Sequence, residues 1–277
     1  MTTKLDWQGR VGAEWADKAD ALDRLLGPSG DAALAAMAPR AGMRVLDLGC
    51  GAGATSFALA AAGAEVWGVD VSADLLARAR ARQAARADMA GVHFIEADAS
   101  TWRPEAPLDG LYSRCGAMFF DDPDAAYGHL RSIMTPGAPL AIACWRSPKL
   151  NAWASLPMAL AGDLVAPKGP SAPGAPGPFA WADRDAFAPM LARAGWRDVA
   201  AAPFDHTAPI GVGDDPDPVA RAVRFATRIG PLASRLAGQP PELRDAVKAR
   251  LRDGFAPLVK DGAVRVAASA WIVTARA

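Results

Sequence analysis

Short apolar runs alternate with stretches of helical periodicity through the first half of the chain. Residues 44–48, Arg44-Val45-Leu46-Asp47-Leu48, form a compact apolar run that ends in glycines, and 65–69, 92–96, 108–113 and 140–145 repeat the theme. Between them, 55–62, 73–87 (with Ser72 as cap) and 123–134 read as helices. Strand and helix in this order predict βαβ units, and hence a parallel sheet with helices on both faces. Upstream, Trp15, Ala19, Leu22 and Leu26 fall at helical spacing. Gly27-Pro28-Ser29-Gly30 interrupts that spacing, so two N-terminal helices are expected, the second capped by Asp31 and running through Met37.

The rhythm stops after Trp145. Residues 147–181 are rich in proline and glycine, most densely at 167–178, and read as a long loop. Asp183 caps a helix through Ala194 that stops at Gly195, and a sixth strand follows at 197–208. Residues 214–257 read as two or three helices, and 264–275 as a closing strand.

The sharpest local signal is Asp47-Leu48-Gly49-Cys50-Gly51-Ala52-Gly53, a strand running into a glycine turn and then a helix. Such a loop at a strand's C-terminal end is where doubly wound sheets bind nucleotides. Two cofactor classes compete for it. Gly49, Gly51 and Ala54, with Asp70 further on, satisfy the loose dinucleotide fingerprint. Asp47 argues the other way: a carboxylate beside the loop repels a pyrophosphate, whereas it favours the sulfonium and ammonium of S-adenosylmethionine (SAM).

This stretch resembles the glycine motif of class I SAM-dependent methyltransferases, and the wider chain resembles the small-molecule branch related to the ubiquinone and menaquinone methyltransferases (methyltransferase type 11). The likeness is strongest over 44–145 and extends loosely to Ala194-Gly195-Trp196 and to the strand Trp271-Ile272-Val273-Thr274-Ala275. It implies an α/β fold, a Rossmann-like doubly wound sheet of seven mostly parallel strands with an antiparallel last strand. It also implies roles by position. Asp47, Gly49, Cys50, Gly51 and Gly53 border the methionine part of SAM, and Asp70 takes both ribose hydroxyls. Val71 packs on the adenine, Asp98 and Ala99 hold its amino end, and Ser113 and Arg114 border the reaction centre. The 277 residues are then one methyltransferase domain. Residues 1–38 form a helical lid, 39–145 the SAM-binding core, 146–182 the Pro/Gly-rich loop and 183–277 the remaining core. A helical insertion at about 214–261 joins the lid as a cap.

No side chain stands out as catalytic. His129 and His206 are weak candidates for a general base, and Phe119 and Phe120 read equally as an apolar wall near the methyl group or as core. Trp7 and Trp15 can close over the cofactor or pack the helices onto the sheet, and Trp145 and Trp153 can line an acceptor pocket. Asn/Asp-Pro-Pro-aromatic, found after the fourth strand in methyltransferases of amino groups in nucleic acids and proteins, is missing from 113–122. Lysine plus arginine balances aspartate plus glutamate at 30 each, so no net charge draws the chain to nucleic acid. Three cysteines, Cys50, Cys115 and Cys144, have neither disulfide nor zinc spacing, so no metal and a reducing cytoplasm are expected. A signal peptide and a membrane span are not expected either. The expected activity is methyl transfer from SAM to a small molecule. The alternatives are a SAM-binding protein without catalysis and an NAD(P)-binding oxidoreductase.

Overall fold

The computed structural model describes residues 4–166 and 174–277. Five strands, β1 (Arg44–Leu48), β2 (Glu65–Asp70), β3 (Val92–Glu96), β4 (Gly110–Arg114) and β5 (Pro139–Trp145), pair in parallel in the order β3-β2-β1-β4-β5. The order reverses between β1 and β4, which opens a crevice at the strands' C-terminal ends. On the far side, β8 (Ala263–Arg276) lies antiparallel between β5 and β6 (Arg197–Ile210). A two-residue β7 (Val259–Lys260) folds back on the start of β8, adding an eighth strand to the seven expected.

Side chains of a strand alternate between faces, and here both faces are dry. Val45 belongs to one apolar layer with Met37, Phe57 and Leu59, while Leu46 belongs to another with Tyr127, Leu130 and Leu191. Burial on both sides is why the strands read as unbroken apolar runs.

The N-terminal segment differs from expectation. It forms α1 (Lys4–Trp7), α2 (Arg10–Asp17) and α3 (Ala19–Met37), and α3 runs straight through Gly27-Pro28-Ser29-Gly30. An interior proline opposes a helix by about 3 kcal/mol, so tertiary contacts must outweigh it. α3 lies against β4, β5, β6 and β8. Gly30 lets its backbone touch the sheet: a Cβ there would sit 2.7 Å from Arg114 Cδ. Buried Tyr112 donates its hydroxyl to the Gly30 carbonyl at 2.9 Å, and Ser29 donates to the Leu26 carbonyl at 3.1 Å.

The connecting helices α4 (Ala54–Ala61), α5 (Ala73–Ala84) and α6 (Pro123–Ser132) fall where the periodicity puts them. The expected loop at 146–182 instead contains α7 (Ala152–Ala161), flanked by single turns at Pro148–Leu150 and Gly162–Leu164. Trp153, Ala154, Pro157 and Ala161 are buried on α7, and that apolar face is what orders it. Much of the Pro/Gly-dense stretch, 167–173, lies outside the described residues. α8 (Arg184–Arg193) precedes β6. The insertion supplies α9 (Pro218–Ala226), α10 (Pro231–Leu236) and α11 (Pro241–Phe255), which pack on α7 and one another, with α9 also on β8. None of the described helices is long and apolar enough to cross a membrane.

The Tyr112–Gly30 bond is the anchor of the unbroken α3. Tyr112→Phe removes the hydroxyl from a carbonyl that keeps its helical N–H, and should lower the unfolding free energy by about 0.5–1.5 kcal/mol, read from urea denaturation. An unchanged midpoint would show that α3 needs no such anchor.

Candidate functional site

Residues 49–53 turn the chain from β1 into α4. Gly49 has φ +66° and lies back to back with Gly116 after β4; a Cβ on Gly49 would sit 2.8 Å from the Gly116 Cα. Only two glycines allow these segments to meet. The N–H groups of Gly49 and Cys50 both donate to the Val69 carbonyl, tying the loop to the end of β2. Asp70, which ends β2, accepts from the Gly51 N–H through Oδ2 and from the Ser72 N–H through Oδ1, each at 2.9 Å. Burial pushes the Asp70 carboxyl above the usual carboxylate range, against the lowering effect of the backbone bonds. Asp98 Oδ1 accepts from the Ser100 N–H at 2.9 Å and its hydroxyl at 2.6 Å.

Asp47 lies beneath the loop and is fully buried. Its Oδ2 accepts the hydroxyls of Thr55 at 2.7 Å and Ser56 at 2.6 Å, in the first turn of α4, while Oδ1 has no hydrogen-bond partner. Burial raises its pKa to about 6, although the two hydroxyls and Arg114 pull the other way.

Above the loop, a cavity of about 450 Å³ opens at the reversal of strand order. Gly49, Cys50, Gly51, Asp70, Val71, Asp98, Ala99 and Arg114 all line it, so the structure brings these expected residues together. Trp7 from α1, Trp15 from α2, and Leu22 and Leu26 from α3 add further wall, as do Phe119 and Phe120 after β4. Trp7 meets Trp15 and Phe119 edge-on, with ring centres 5.0 and 5.1 Å apart. Arg114, mostly buried, donates to Asp23 at 2.6 Å, and Asp23 accepts from Arg82 at 2.8 Å. Burial alone would lower the Arg114 pKa, but the Asp23 carboxylate outweighs it and raises the value.

Three expected residues do not line the cavity. Asp47 faces the α4 hydroxyls. Gly53 precedes α4 with its α-carbon turned toward the rings of Phe94 and Phe57. Ser113 is buried and donates to the Leu48 carbonyl at 2.7 Å. All three shape the loop without reaching the space above it. His129 and His206 are also absent from the walls: His129 Nε2 is 2.7 Å from the Trp102 carbonyl, and His206 lies on β6 against the Phe204 ring. Trp145 and Trp153 pack on each other, with ring centres 5.2 Å apart, away from the cavity. Asp23 is one of the wall acids that the sequence reading missed, with Asp121 and Asp122. Its signal was helical spacing, since it follows Leu22 and precedes Leu26 on one helix, but nothing in the sequence named Arg114 as its partner. Among the described residues no group of three His, Cys, Asp or Glu side chains is arranged to hold a metal ion.

The comparisons with known proteins fit this geometry. Residues 45–137 match the family described as "Methyltransferase domain". An uncharacterized methyltransferase of Mycobacterium tuberculosis is 34% identical over 122 residues, which are 44% of this chain and 60% of that protein. Trans-aconitate 2-methyltransferase of Klebsiella pneumoniae is 34% identical over 109 residues, 38% of this chain and 41% of that enzyme. The matched stretch is thus about half the length of these relatives. Among solved structures, the YcgJ protein of Bacillus subtilis superposes with a TM-score of 0.56 at 16% identity, over 90% of this chain and 98% of that one, which is a likeness of fold. Over residues 45–137, from the first strand to the turn before the fifth, this chain is therefore similar to the family described as "Methyltransferase domain".

Proposed function

We propose that the protein is a SAM-dependent methyltransferase acting on a small molecule. The observation that carries this reading is the convergence of the glycine loop, Asp70 and Asp98 on one roofed cavity. Each Asp70 oxygen already accepts one backbone N–H and keeps a free lone pair, so the carboxylate can take two neighbouring ribose hydroxyls. Val71 offers an apolar face to the adenine, and Asp98 an acceptor to its amino group. The Arg114–Asp23 pair presents a cation beside an anion, which complements the carboxylate and ammonium of a methionyl group. Bound there, SAM supplies a methyl group on a sulfonium, already a good leaving group. The protein then has to position the acceptor and exclude water, and orientation of this kind accounts for a large share of such accelerations. Trp7, Trp15 and Phe119 roof the reacting end and can stabilise the sulfonium through their faces. The single domain with its lid over 1–38 belongs to the same proposal. Three buried free thiols support a reducing, cytoplasmic setting.

The dinucleotide alternative fits less well. The α4 N-terminus, where a pyrophosphate would sit, already has the Asp47 carboxylate beneath it. The test of the activity is SAM labelled in its methyl group, incubated with small-molecule, protein and nucleic-acid fractions of a cell extract. Label in the small-molecule fraction is expected, and label confined to a polymer would overturn the substrate class. S-adenosylhomocysteine (SAH) binding without label in any fraction would favour a protein that binds without transfer.

Two further outcomes follow from the acids. Asp70→Ala should weaken SAH binding by about tenfold or more in calorimetry, equivalent to at least about 1.4 kcal/mol; an unchanged affinity would remove Asp70 from the site. Asp47 is a matter of pH. Its folded pKa of about 6 lies above the unfolded value of 3.8, so the folded state holds the extra proton between these values. Stability is therefore lost as pH rises through that window. Asp47→Asn cannot titrate, so wild type should lose about 3 kcal/mol relative to it between pH 3.5 and 7.5, followed by urea denaturation. Parallel pH profiles for the two proteins would show that Asp47 is not desolvated in this way.

A further inference from the structure

The cavity carries a one-sided set of charges. Asp23, Asp70, Asp98, Asp121 and Asp122 line it, and Arg114 is the one cation opposed to them among the described residues. Arg114 is already engaged: it donates to Asp23 at 2.6 Å with 12% of its side chain exposed. On the proposed reading its remaining donors serve the cofactor's carboxylate. Asp121 and Asp122 are exposed, so an incoming molecule passes them from solvent; Asp122 also caps α6 by accepting the Ala125 N–H. Deeper in, beside the glycine loop, the walls are Trp7, Trp15, Leu22, Leu26, Phe119 and Phe120.

An anionic acceptor meets three penalties on this path. It gives up water for an apolar wall, it approaches the like charges of Asp121 and Asp122 at the entrance, and among the described wall residues it finds no side-chain cation outside an ion pair to replace its hydration. A neutral molecule escapes all three. A cation gains from the acids and from the aromatic faces. We infer, on the reading of this site as a SAM-dependent methyltransferase, that the acceptor carries no carboxylate or phosphate. It is an uncharged or cationic molecule with an apolar body that packs against the wall formed by Trp7, Trp15 and Phe119. This separates the chain from its relative named for trans-aconitate, whose acceptor is an acid.

The test begins with calorimetry of the full chain with SAH, which checks the cofactor reading by itself. The small-molecule extract is then divided by ion exchange at neutral pH into anionic, neutral and cationic pools, and each is incubated with enzyme and methyl-labelled SAM. Label in the neutral or cationic pool is expected to exceed that in the anionic pool by about tenfold or more, as one to two kcal/mol of charge discrimination would give. Each labelled product is traced to the pool of its unmethylated parent, because methylation can change the charge. Label arising mainly from the anionic pool would overturn this inference and leave the methyltransferase reading standing. Failure to bind SAH would remove both, as would bound SAH with no label in any pool.

Discussion

A carboxylate buried beneath a glycine turn fixes much of what stands above it. Asp47 is out of reach of water and holds the Thr55 and Ser56 hydroxyls on one oxygen. Those bonds join the end of β1 to the first turn of α4, so the loop between them spans two fixed points. The Gly49–Gly116 contact then presses the loop against the segment after β4. The backbone N–H groups, Asp70 and the wall after β4 are thus set in position before any ligand arrives. Preorganisation of this kind is obtained at the expense of stability, because a desolvated carboxylate with an unpartnered oxygen is a poor contributor to folding.

The N-terminal helices are held by charge. Asp23 on α3 receives Arg114 from the end of β4 and Arg82 from α5, and Asp20 takes Arg82 as well. The cavity roof and two of its walls are thereby joined through one acidic face of one helix. From the outside, Arg228, just beyond α9, reaches Asp17 at 3.4 Å and Glu14 at 3.9 Å on α2. Among the described residues, the C-terminal helices therefore meet α2 without contributing to the walls, where the sequence had suggested that they would help enclose the pocket. Their apolar surfaces are used against α7 and β8 instead.

The parallel sheet was legible because strands buried on both faces leave unbroken apolar runs, and Ser72 and Asp183 announced helix starts that the structure keeps. Two elements were not legible. At Gly27-Pro28-Ser29-Gly30 the local rule for a break is sound, but Gly30 is there for close packing on the sheet and the Tyr112 hydroxyl holds its carbonyl. α7 was hidden by neighbouring prolines and glycines, although Trp153 and Ala161 belong to the core. In the site, Asp70 and Asp98 could be read from strand ends, whereas the direction in which a side chain points could not. Asp47 and Ser113 lie in strands whose alternate residues face opposite sides, and theirs point under the loop. Asp23 depends on a partner 91 residues away, which no local pattern reveals.

Every described residue that touches the cavity lies between Trp7 and Ala126. The second half of the chain supplies α7 to α11 and the antiparallel β6–β8 pair, and none of its described residues lines the cavity. Apolar cores tolerate exchange when volume and pattern are kept. The two halves are therefore under different rules of change, with the cavity wall restraining one and internal packing and hydrogen bonding the other. A family match over 45–137, beside a likeness of fold over most of the chain, is consistent with such a division.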